Sequence, residues 1–143
     1  MKVIAKNKKA KFNYHVLETY EAGIVLKGSE VKSVRMGKIS ISDAFAQVVN
    51  GEIFLFNMHI SPYEKAQNDL EAKRDRKLLL NKREIRKIEG KLKNKGLTLV
   101  PLEVFIKKSF VKITLALAKG KKEYEKRRKI IEKEQRREMK KYL

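Results

Sequence analysis

Regular alternation of apolar residues near the C-terminal end of the core most constrains how this chain can fold. The apolar positions in residues 111–117 are Val111, Ile113, Leu115 and Leu117, and they alternate with Lys112, Thr114 and Ala116. A period of two predicts a β-strand with one buried face. Residues 97–106 form another extended apolar run, so the residues between the two runs, 107–109, are predicted to turn a hairpin.

A second hairpin is predicted around the dipeptide Asn50-Gly51. It separates two apolar runs, residues 44–49 and 52–56. Both residues of this dipeptide tolerate the positive φ angles that a type I′ turn requires. Further strands are predicted at residues 12–26 and 76–80, which gives about six strands in all.

Two helices are predicted between the strands. Ser29 can cap a short helix near residues 30–36, with Glu30 in its positive first turn. Asn81 and Glu84 have the spacing of a capping box, and the helix they begin, residues 82–95, ends before Gly96. The basic face of this second helix fits two interpretations equally well: a contact with an anionic partner, or a surface that is merely solvated.

These elements predict a mainly β protein with inserted helices. Strands and helices do not alternate regularly, so we expect an OB-fold-like closed antiparallel barrel of about six strands over residues 1–118. Residues 119–143 have high helix propensity but no continuous apolar stripe. This basic C-terminal tail is expected to be disordered alone and helical against an anionic surface.

The charge of the chain is concentrated in three segments. The formal net charge is +19, of which residues 1–11 contribute +5, residues 73–95 contribute +8 and residues 119–143 contribute +7. Residues 12–72 are slightly acidic, at −3. A directed basic surface of this kind indicates a phosphate backbone as partner, because binding releases condensed counterions. A lysine-rich surface of a thermophilic protein is the alternative, although ion-pair networks need both signs of charge.

Several other classes of protein are disfavoured by composition. No run of about 18 apolar residues is present, and the tail is too polar for an interfacial helix, so no membrane partner is expected. The chain has no cysteine and only two isolated histidines, which predicts neither metal nor cofactor. No phosphate-binding loop or nucleophile motif is present, so we expect no enzyme activity. No secretion signal is evident, which favours the cytoplasm.

Blocks of sequence in the same order along nearly the whole chain resemble the SmpB family. The first is YEAGIVLKG at residues 20–28, followed by EVKSVRMG at residues 30–37. Later blocks are NMHISPY at residues 57–63, RKLLLN at residues 76–81 with Glu84 and Ile85, GLTLVPL at residues 96–102 and AKGKK at residues 118–122.

This resemblance implies a role in trans-translation, the rescue of stalled ribosomes. An SmpB-like protein is expected to bind the tRNA-like domain of tmRNA and to deliver it to the stalled ribosome. Elongation factor Tu and alanyl-tRNA synthetase are implied as indirect partners through tmRNA. The tail is expected to occupy the vacant mRNA channel near the decoding centre.

The resemblance also implies particular contacts with RNA. Glu21, Leu79 and Asn81 occupy positions that contact the tRNA-like domain in the family. From spacing alone Leu79 is a core residue, and Asn81 has a competing role as helix N-cap. The candidate phosphate contacts are Lys32, Arg35, Arg76, Lys77, Lys119, Lys121 and Lys122.

The tail and one loop depart from the family pattern. Glu125, Lys126 and Arg127 stand where the family usually has Asp-Lys-Arg, and they are the candidate ribosome contacts. Gln135 corresponds roughly to a tail tryptophan of the family, and Met139 has no assigned role. The predicted loop 64–75 lacks the family's usual approach to the RKLLLN strand.

Two other classes of RNA-binding protein remain open. A cold-shock-like binder would expose aromatic residues on its strands, whereas apolar alternation predicts that the aromatic residues here are mostly core: Phe45, Phe54, Phe56, Phe105 and Phe110. A ribosomal structural protein would share the size and basicity of this chain. It would differ by constant association with ribosomes.

Overall fold

The computed structural model describes residues 1–62, 72–94 and 96–121, and these residues form nine strands and three helices. The strands are β1 (Lys2–Lys6), β2 (Tyr14–Ile24), β3 (Ile39–Ser40), β4 (Phe45–Val49), β5 (Glu52–Phe56), β6 (His59–Ile60), β7 (Arg76–Leu79), β8 (Leu97–Lys107) and β9 (Phe110–Gly120). The helices are α1 (Lys8–Asn13), α2 (Gly28–Arg35) and α3 (Lys82–Leu92). The prediction of a mainly β protein with inserted helices is confirmed.

Seven of the strands form one antiparallel sheet in the order β1-β8-β4-β5-β7-β2-β9. Strand β9 pairs with β8 as well as with β2, so the pairings lead from β8 through β4, β5, β7, β2 and β9 back to β8, whereas β1 pairs with β8 alone. The link between β4 and β8 is a single pair, Ala46 opposite Leu99. Strands β3 and β6 form a separate two-stranded sheet.

Both predicted hairpins are present, and the two central residues of each turn have positive φ angles. Between β4 and β5, Asn50 and Gly51 have φ angles of 51° and 76°. Between β8 and β9, Lys108 and Ser109 have φ angles of 51° and 68°, without a glycine at either position. Two consecutive residues with positive φ match the right-handed twist of the flanking strands.

The main hydrophobic core lies against one face of this sheet, and α3 packs onto it. Alternate residues of β5 and β9 are fully buried, including Ile53, Leu55, Ile113 and Leu115. Ile88 of α3 packs into the same cluster and is also fully buried. Burying each such side chain contributes about 1.5–3 kcal/mol, so this cluster is the main source of stability.

The basic N-terminal segment contributes a strand and a helix that composition did not predict. Strand β1 pairs with β8, and α1 follows it directly. The side chain of Asn7 is buried between them: its Oδ1 accepts from the Ala10 N–H at 3.0 Å, and its Nδ2 donates to the carbonyl oxygens of Ile41 and Pro101 at 3.1 and 2.9 Å. Asn7 therefore caps α1 and joins it to two distant segments.

The predicted boundaries shift in several places. The long strand predicted at residues 12–26 is β2, and it begins at Tyr14 because α1 occupies the preceding residues. Helix α2 begins at Gly28 with Lys27 at the N-cap position, so Ser29 is not the cap. Helix α3 begins at Lys82 as predicted, but ends at Leu92. Strand β9 continues to Gly120, two residues beyond the predicted end of the core.

A buried ion pair joins α2 to the start of β7. The Arg76 side chain is fully buried, and its Nε and Nη2 donate to Glu30 Oε2 at 2.8 and 2.5 Å. Arg76 also donates to the carbonyl oxygens of Met58 at 2.6 Å and Ala72 at 2.9 Å. Arg74 forms a second ion pair with the Glu30 carboxylate. The arrangement satisfies the charge of Arg76 inside the protein, which a buried guanidinium requires.

The burial of Arg76 corrects its prediction as a phosphate contact. A guanidinium with no exposed surface and with its donors held by Glu30 and carbonyl oxygens does not present itself to RNA. Burial alone would raise the pKa of Glu30, but hydrogen bonds from Arg74, the Lys27 N–H and Arg76 lower it below its ordinary value of 4.5. The charged form of Glu30 is therefore favoured by folding.

We expect replacement of Glu30 by glutamine to destabilise the protein by about 3–5 kcal/mol at neutral pH, because Arg76 would remain buried without its counter-charge. Since folding lowers the pKa of Glu30, its stabilising contribution is present above about pH 4.5 and is lost as pH falls through the folded-state pKa. Urea unfolding at pH 7 and pH 4 measures both effects. The destabilisation by Glu30→Gln should shrink at the lower pH.

The matched control is Glu52→Gln. Glu52 also forms an ion pair, with Lys77 at 3.0 Å, but both side chains are nearly half exposed. Exposed pairs contribute less than about 1 kcal/mol, so this change should have little effect at either pH. Equal stability of the wild type and the Glu30→Gln variant at pH 7 would disprove the role assigned to the buried pair.

Candidate nucleic-acid interface

The pairing of β2 with β7 brings two of the predicted RNA contacts onto one outer face. Gly23 lies directly opposite Leu79. Glu21 precedes Gly23 by two residues and therefore projects from the same face of β2. Asn81 follows Leu79 by two residues, at the point where β7 leads into α3. Residues 21–23 of β2 and residues 79–81 therefore lie near each other on this outer face.

Leu79 lies on the surface, with 52% of its area exposed. On β7, Arg76 and Leu78 are buried, whereas Lys77 and Leu79 are exposed. The prediction from spacing, that Leu79 is a core residue, is therefore wrong. Because Leu79 is exposed, it is available to contact a partner, as the resemblance implies.

The carboxylate of Glu21 has an exposed partner. Lys107 Nζ lies 3.4 Å from Glu21 Oε1, and about half of each side chain is exposed. Exposed ion pairs of this kind are weak and are screened by salt. Glu21 can therefore exchange Lys107 for a donor on RNA at little cost, while Lys107 becomes free to contact a phosphate.

Asn81 is the N-cap of α3. Its Oδ1 accepts a hydrogen bond from the Glu84 N–H at 2.9 Å, and the residue is exposed. The side-chain amide also has two N–H donors, which the cap does not need. The two roles predicted for Asn81, helix cap and RNA contact, are therefore compatible in this geometry.

The other predicted cations occupy different environments. Lys32 and Arg35 are exposed on α2, Lys77 is exposed on β7, and Lys119 is exposed near the end of β9. Lys121 is largely buried: its N–H donates to the Asn13 carbonyl at 2.8 Å and its Nζ to the Lys11 carbonyl at 3.2 Å. The last described residue, Lys121, is therefore held beside α1. Lys122, Glu125, Lys126, Arg127, Gln135 and Met139 lie outside the described residues, as does most of the predicted loop 64–75.

Helix α3 presents a basic face away from the core. The exposed cations of this face are Lys82, Arg83, Arg86, Lys87 and Lys93. Lys91 instead forms an ion pair with Glu18, and Tyr20 donates a hydrogen bond to the same carboxylate. The hydrogen bonds from Lys91 and Tyr20 lower the pKa of Glu18, and burial together with Glu18 raises the pKa of Tyr20 to about 12. This cluster fastens α3 to β2.

Within residues 1–62, 72–94 and 96–121, no group of three histidine or acidic side chains is placed to hold a metal ion. No helix of that part of the chain is long and apolar enough to cross a membrane. His15 is exposed and His59 is half buried on β6.

Comparison with known proteins decides the family. The family model described as SmpB protein matches residues 4–143. The chain belongs to the SmpB family. The resemblance seen in the sequence blocks is thereby confirmed over almost the full length.

Curated SmpB relatives carry the name SsrA-binding protein. One from Carboxydothermus hydrogenoformans is 54% identical over 143 residues, covering 99% of this chain and 96% of its own. One from Halothermothrix orenii is 54% identical over 140 residues, covering 97% and 90%. One from Streptococcus mutans is 53% identical over 142 residues, covering 99% and 92%.

A solved SmpB structure has the same fold. It is 48% identical to this chain, with a TM-score of 0.69, and the match covers 83% of this chain and 85% of that one. That structure is described as "tmRNA-SmpB: a journey to the center of the bacterial ribosome". The fold of the described residues is therefore shared with an SmpB protein studied together with tmRNA and the ribosome.

Sequence reasoning missed part of this surface. Phe110 was grouped with the core, but it is 68% exposed, and among the five phenylalanines of that group only Phe105 is buried. The alternation along β9 predicts the exposure of Phe110, because Val111 and Ile113 face inward and Phe110 must then face outward. Phe45 and Phe56 are half buried and stack on each other with ring centroids 5.4 Å apart. Lys107 and Lys112 join the same surface only through the pairing of β2, β8 and β9.

We expect Asn81→Ala to lower the stability of the protein by about 1 kcal/mol, because the Glu84 N–H would lose its acceptor at the start of α3. Asn81→Ser should retain most of that stability, since a serine hydroxyl caps helices nearly as well. Thermal unfolding of both variants measures the difference. A serine variant as unstable as the alanine variant would contradict the assignment of the cap.

Proposed function

We propose that this SmpB-family chain binds the tRNA-like domain of tmRNA and delivers it to stalled ribosomes for trans-translation. The observation that supports this most strongly is the family match over residues 4–143, together with curated relatives named for binding SsrA, the tmRNA. The related solved structure, described as tmRNA-SmpB in the bacterial ribosome, supports the same partners. The proposed role is that of an RNA-binding protein in the cytoplasm, without cofactor or enzyme activity.

The proposed contact surface is the outer face around Glu21, Leu79 and Asn81. Single-stranded loops of RNA expose base edges and 2′-hydroxyl groups. The Glu21 carboxylate can accept hydrogen bonds from them, and the Asn81 amide can donate. Leu79 supplies an apolar contact between the two polar groups. Direct contact with tmRNA by these three residues is part of this proposal.

Phosphate contacts are proposed for four exposed cations. Lys32 and Arg35 are exposed on α2, Lys77 on β7 and Lys119 on β9. Strands β7 and β9 both pair with β2, and Lys119 lies opposite His15, towards the other end of β2 from Gly23. Such contacts set the affinity and the register, whereas the polar groups near Leu79 supply selectivity. Lys122 is proposed to act at the start of the tail, whereas Lys121 is left out, because it is largely buried and its Nζ donates to the Lys11 carbonyl. Arg76 is not included, because it is buried.

A closed OB-like barrel is the proposed form of the core. The pairings from β8 through β4, β5, β7, β2 and β9 return to β8, which is the connectivity that a six-stranded barrel needs. Closure would leave few free strand edges and would hold the outer face rigid. A rigid face favours RNA binding, because fewer side chains lose freedom on association.

The tail is proposed to act on the ribosome. Residues 122–143 contain ten lysines and arginines against five glutamates, which suits a channel lined by RNA. We propose that this tail occupies the vacant mRNA channel, with Glu125, Lys126 and Arg127 among its contacts. Elongation factor Tu and alanyl-tRNA synthetase would act on the complex through tmRNA.

We expect the affinity for a tRNA-like fragment of tmRNA to fall steeply with salt. Each phosphate contact adds about 0.7–0.9 to the slope of log K against log salt, so Lys77→Gln should reduce the slope by nearly one. Fluorescence anisotropy between 50 and 200 mM salt, concentrations typical of such titrations, provides the measurement. Lys9→Gln is the matched control, because Lys9 forms a similar exposed ion pair, with Asp43, but is not in the proposed set. An unchanged slope for Lys77→Gln would remove Lys77 from the interface.

We expect a variant that ends at Lys121 to bind the tRNA-like fragment with nearly wild-type affinity but to lose tagging of stalled peptides. Ending there preserves the contacts of Lys121 with Asn13 and Lys11, which hold the end of β9 against α1. Anisotropy measures binding, and a reconstituted tagging reaction measures rescue. Loss of binding to free tmRNA would show that the tail belongs to the first interface instead.

A further inference from the structure

The outer face beside Leu79 contains a cavity of about 200 Å³. It lies between β2, β7, α2 and the turn of the β8–β9 hairpin. The residues that define it here are Gly23, Val31, Leu79, Ser109, Phe110 and Lys112. Ligand pockets for drug-sized molecules are larger, roughly 300–1,000 Å³, so this cavity suits a single flat ring system rather than a whole nucleotide.

Gly23 keeps the floor of this cavity open. A Cβ atom at position 23 would lie 3.3 Å from the Cβ and 3.5 Å from the Cδ1 of Leu79, and 3.7 Å from the Nζ of Lys112. Any side chain there would therefore press against Leu79 and fill the space. The close approach of Gly23 to Leu79 follows from their direct pairing between β2 and β7.

The walls of the cavity are apolar and unusually exposed. Phe110 is 68% exposed and Leu79 is 52% exposed, which are among the largest exposures of apolar residues in the described chain. Lys112 pairs opposite Gly23 on β9 and supplies a cation at the rim. Exposed apolar residues that cluster around a cavity are typical of a binding site.

We propose that this cavity holds one unstacked nucleobase of the bound RNA, with Phe110 stacking on the base and Leu79 packing against it. This inference rests on the proposed function, because it specifies how the same surface holds RNA. Every base has a π-face, so an aromatic side chain can hold one without reading its sequence. Lys112 and the nearby Lys107 neutralise the adjoining phosphates. The net charge of +19 favours RNA over an apolar protein segment as the occupant.

The first test is binding of Phe110 variants to a tRNA-like tmRNA fragment. Phe110→Ala should weaken binding about 5- to 150-fold, the range expected for loss of one base stacked on an aromatic ring. Phe110→Trp should bind as well as the wild type, and Phe110→Leu should remain weak. Gly23→Ala should also weaken binding, because its methyl group displaces Leu79 into the cavity.

Phe12→Ala is the matched control, because Phe12 is a partly exposed aromatic residue on α1, away from the cavity. It should leave affinity unchanged. The thermal stability of Phe110→Ala should equal that of the wild type, and its salt slope should be unchanged because no phosphate contact is removed. A lower slope or a large loss of stability in Phe110→Ala would overturn the stacking role.

A second test identifies the base. Abasic sites are placed one at a time in the unpaired positions of the fragment, and each is measured with wild type and with Phe110→Ala. One abasic site should weaken binding to the wild type but not to the variant, because the base and the ring contribute to the same contact. If every abasic site affects both proteins equally, or if Phe110→Leu binds as tightly as the wild type, the inference is wrong although the RNA-binding function stands. A wild-type protein that does not bind the fragment would instead contradict the proposed function itself.

Discussion

The buried pair of Glu30 and Arg76 holds the strand from which the candidate interface projects. Strand β7 has four residues and pairs with β2 through only two of them. It also pairs with β5 through three residues, and Arg76 adds a further attachment, because it joins β7 to α2 through Glu30 and to the segment before β6 through the Met58 carbonyl. Because a buried ion pair is costly when either partner is missing, this arrangement tolerates few alternatives. The positions of Leu79 and Asn81, at and just after the end of β7, depend in part on this ion pair.

The alternation along β7 separates residues that hold the strand from residues of the proposed interface. The inward residues, Arg76 and Leu78, hold the strand, and the outward residues, Lys77 and Leu79, form the surface. A shift of register by one residue would exchange these two sets and would bury Lys77 without a partner. The charge network around Glu30 thus protects the register on which the outer face depends.

Much of the fold follows from local sequence, but the site does not. The turn at Asn50-Gly51, the alternation in β9 and the cap at Asn81 are local signals, and the structure has all three. The pairing of Glu30 with Arg76 spans 46 residues and has no local signature. An arginine in a basic run was therefore assigned to the surface. The cavity beside Leu79 likewise depends on three strands that meet only in the folded chain, so sequence alone showed its residues separately.

The acidic character of residues 12–72 is consistent with selective rather than general RNA binding. A surface made of cations alone would hold any phosphate backbone with similar strength. Here Glu21 lies beside Lys107 on the same face as Leu79, so an RNA that approaches without a donor for the carboxylate meets unfavourable charge. In the proposed interface, the nearby lysines would attract RNA from a distance, whereas the carboxylate and the apolar cavity would favour RNA that presents unpaired bases. Affinity and selectivity would then come from different residues of one surface.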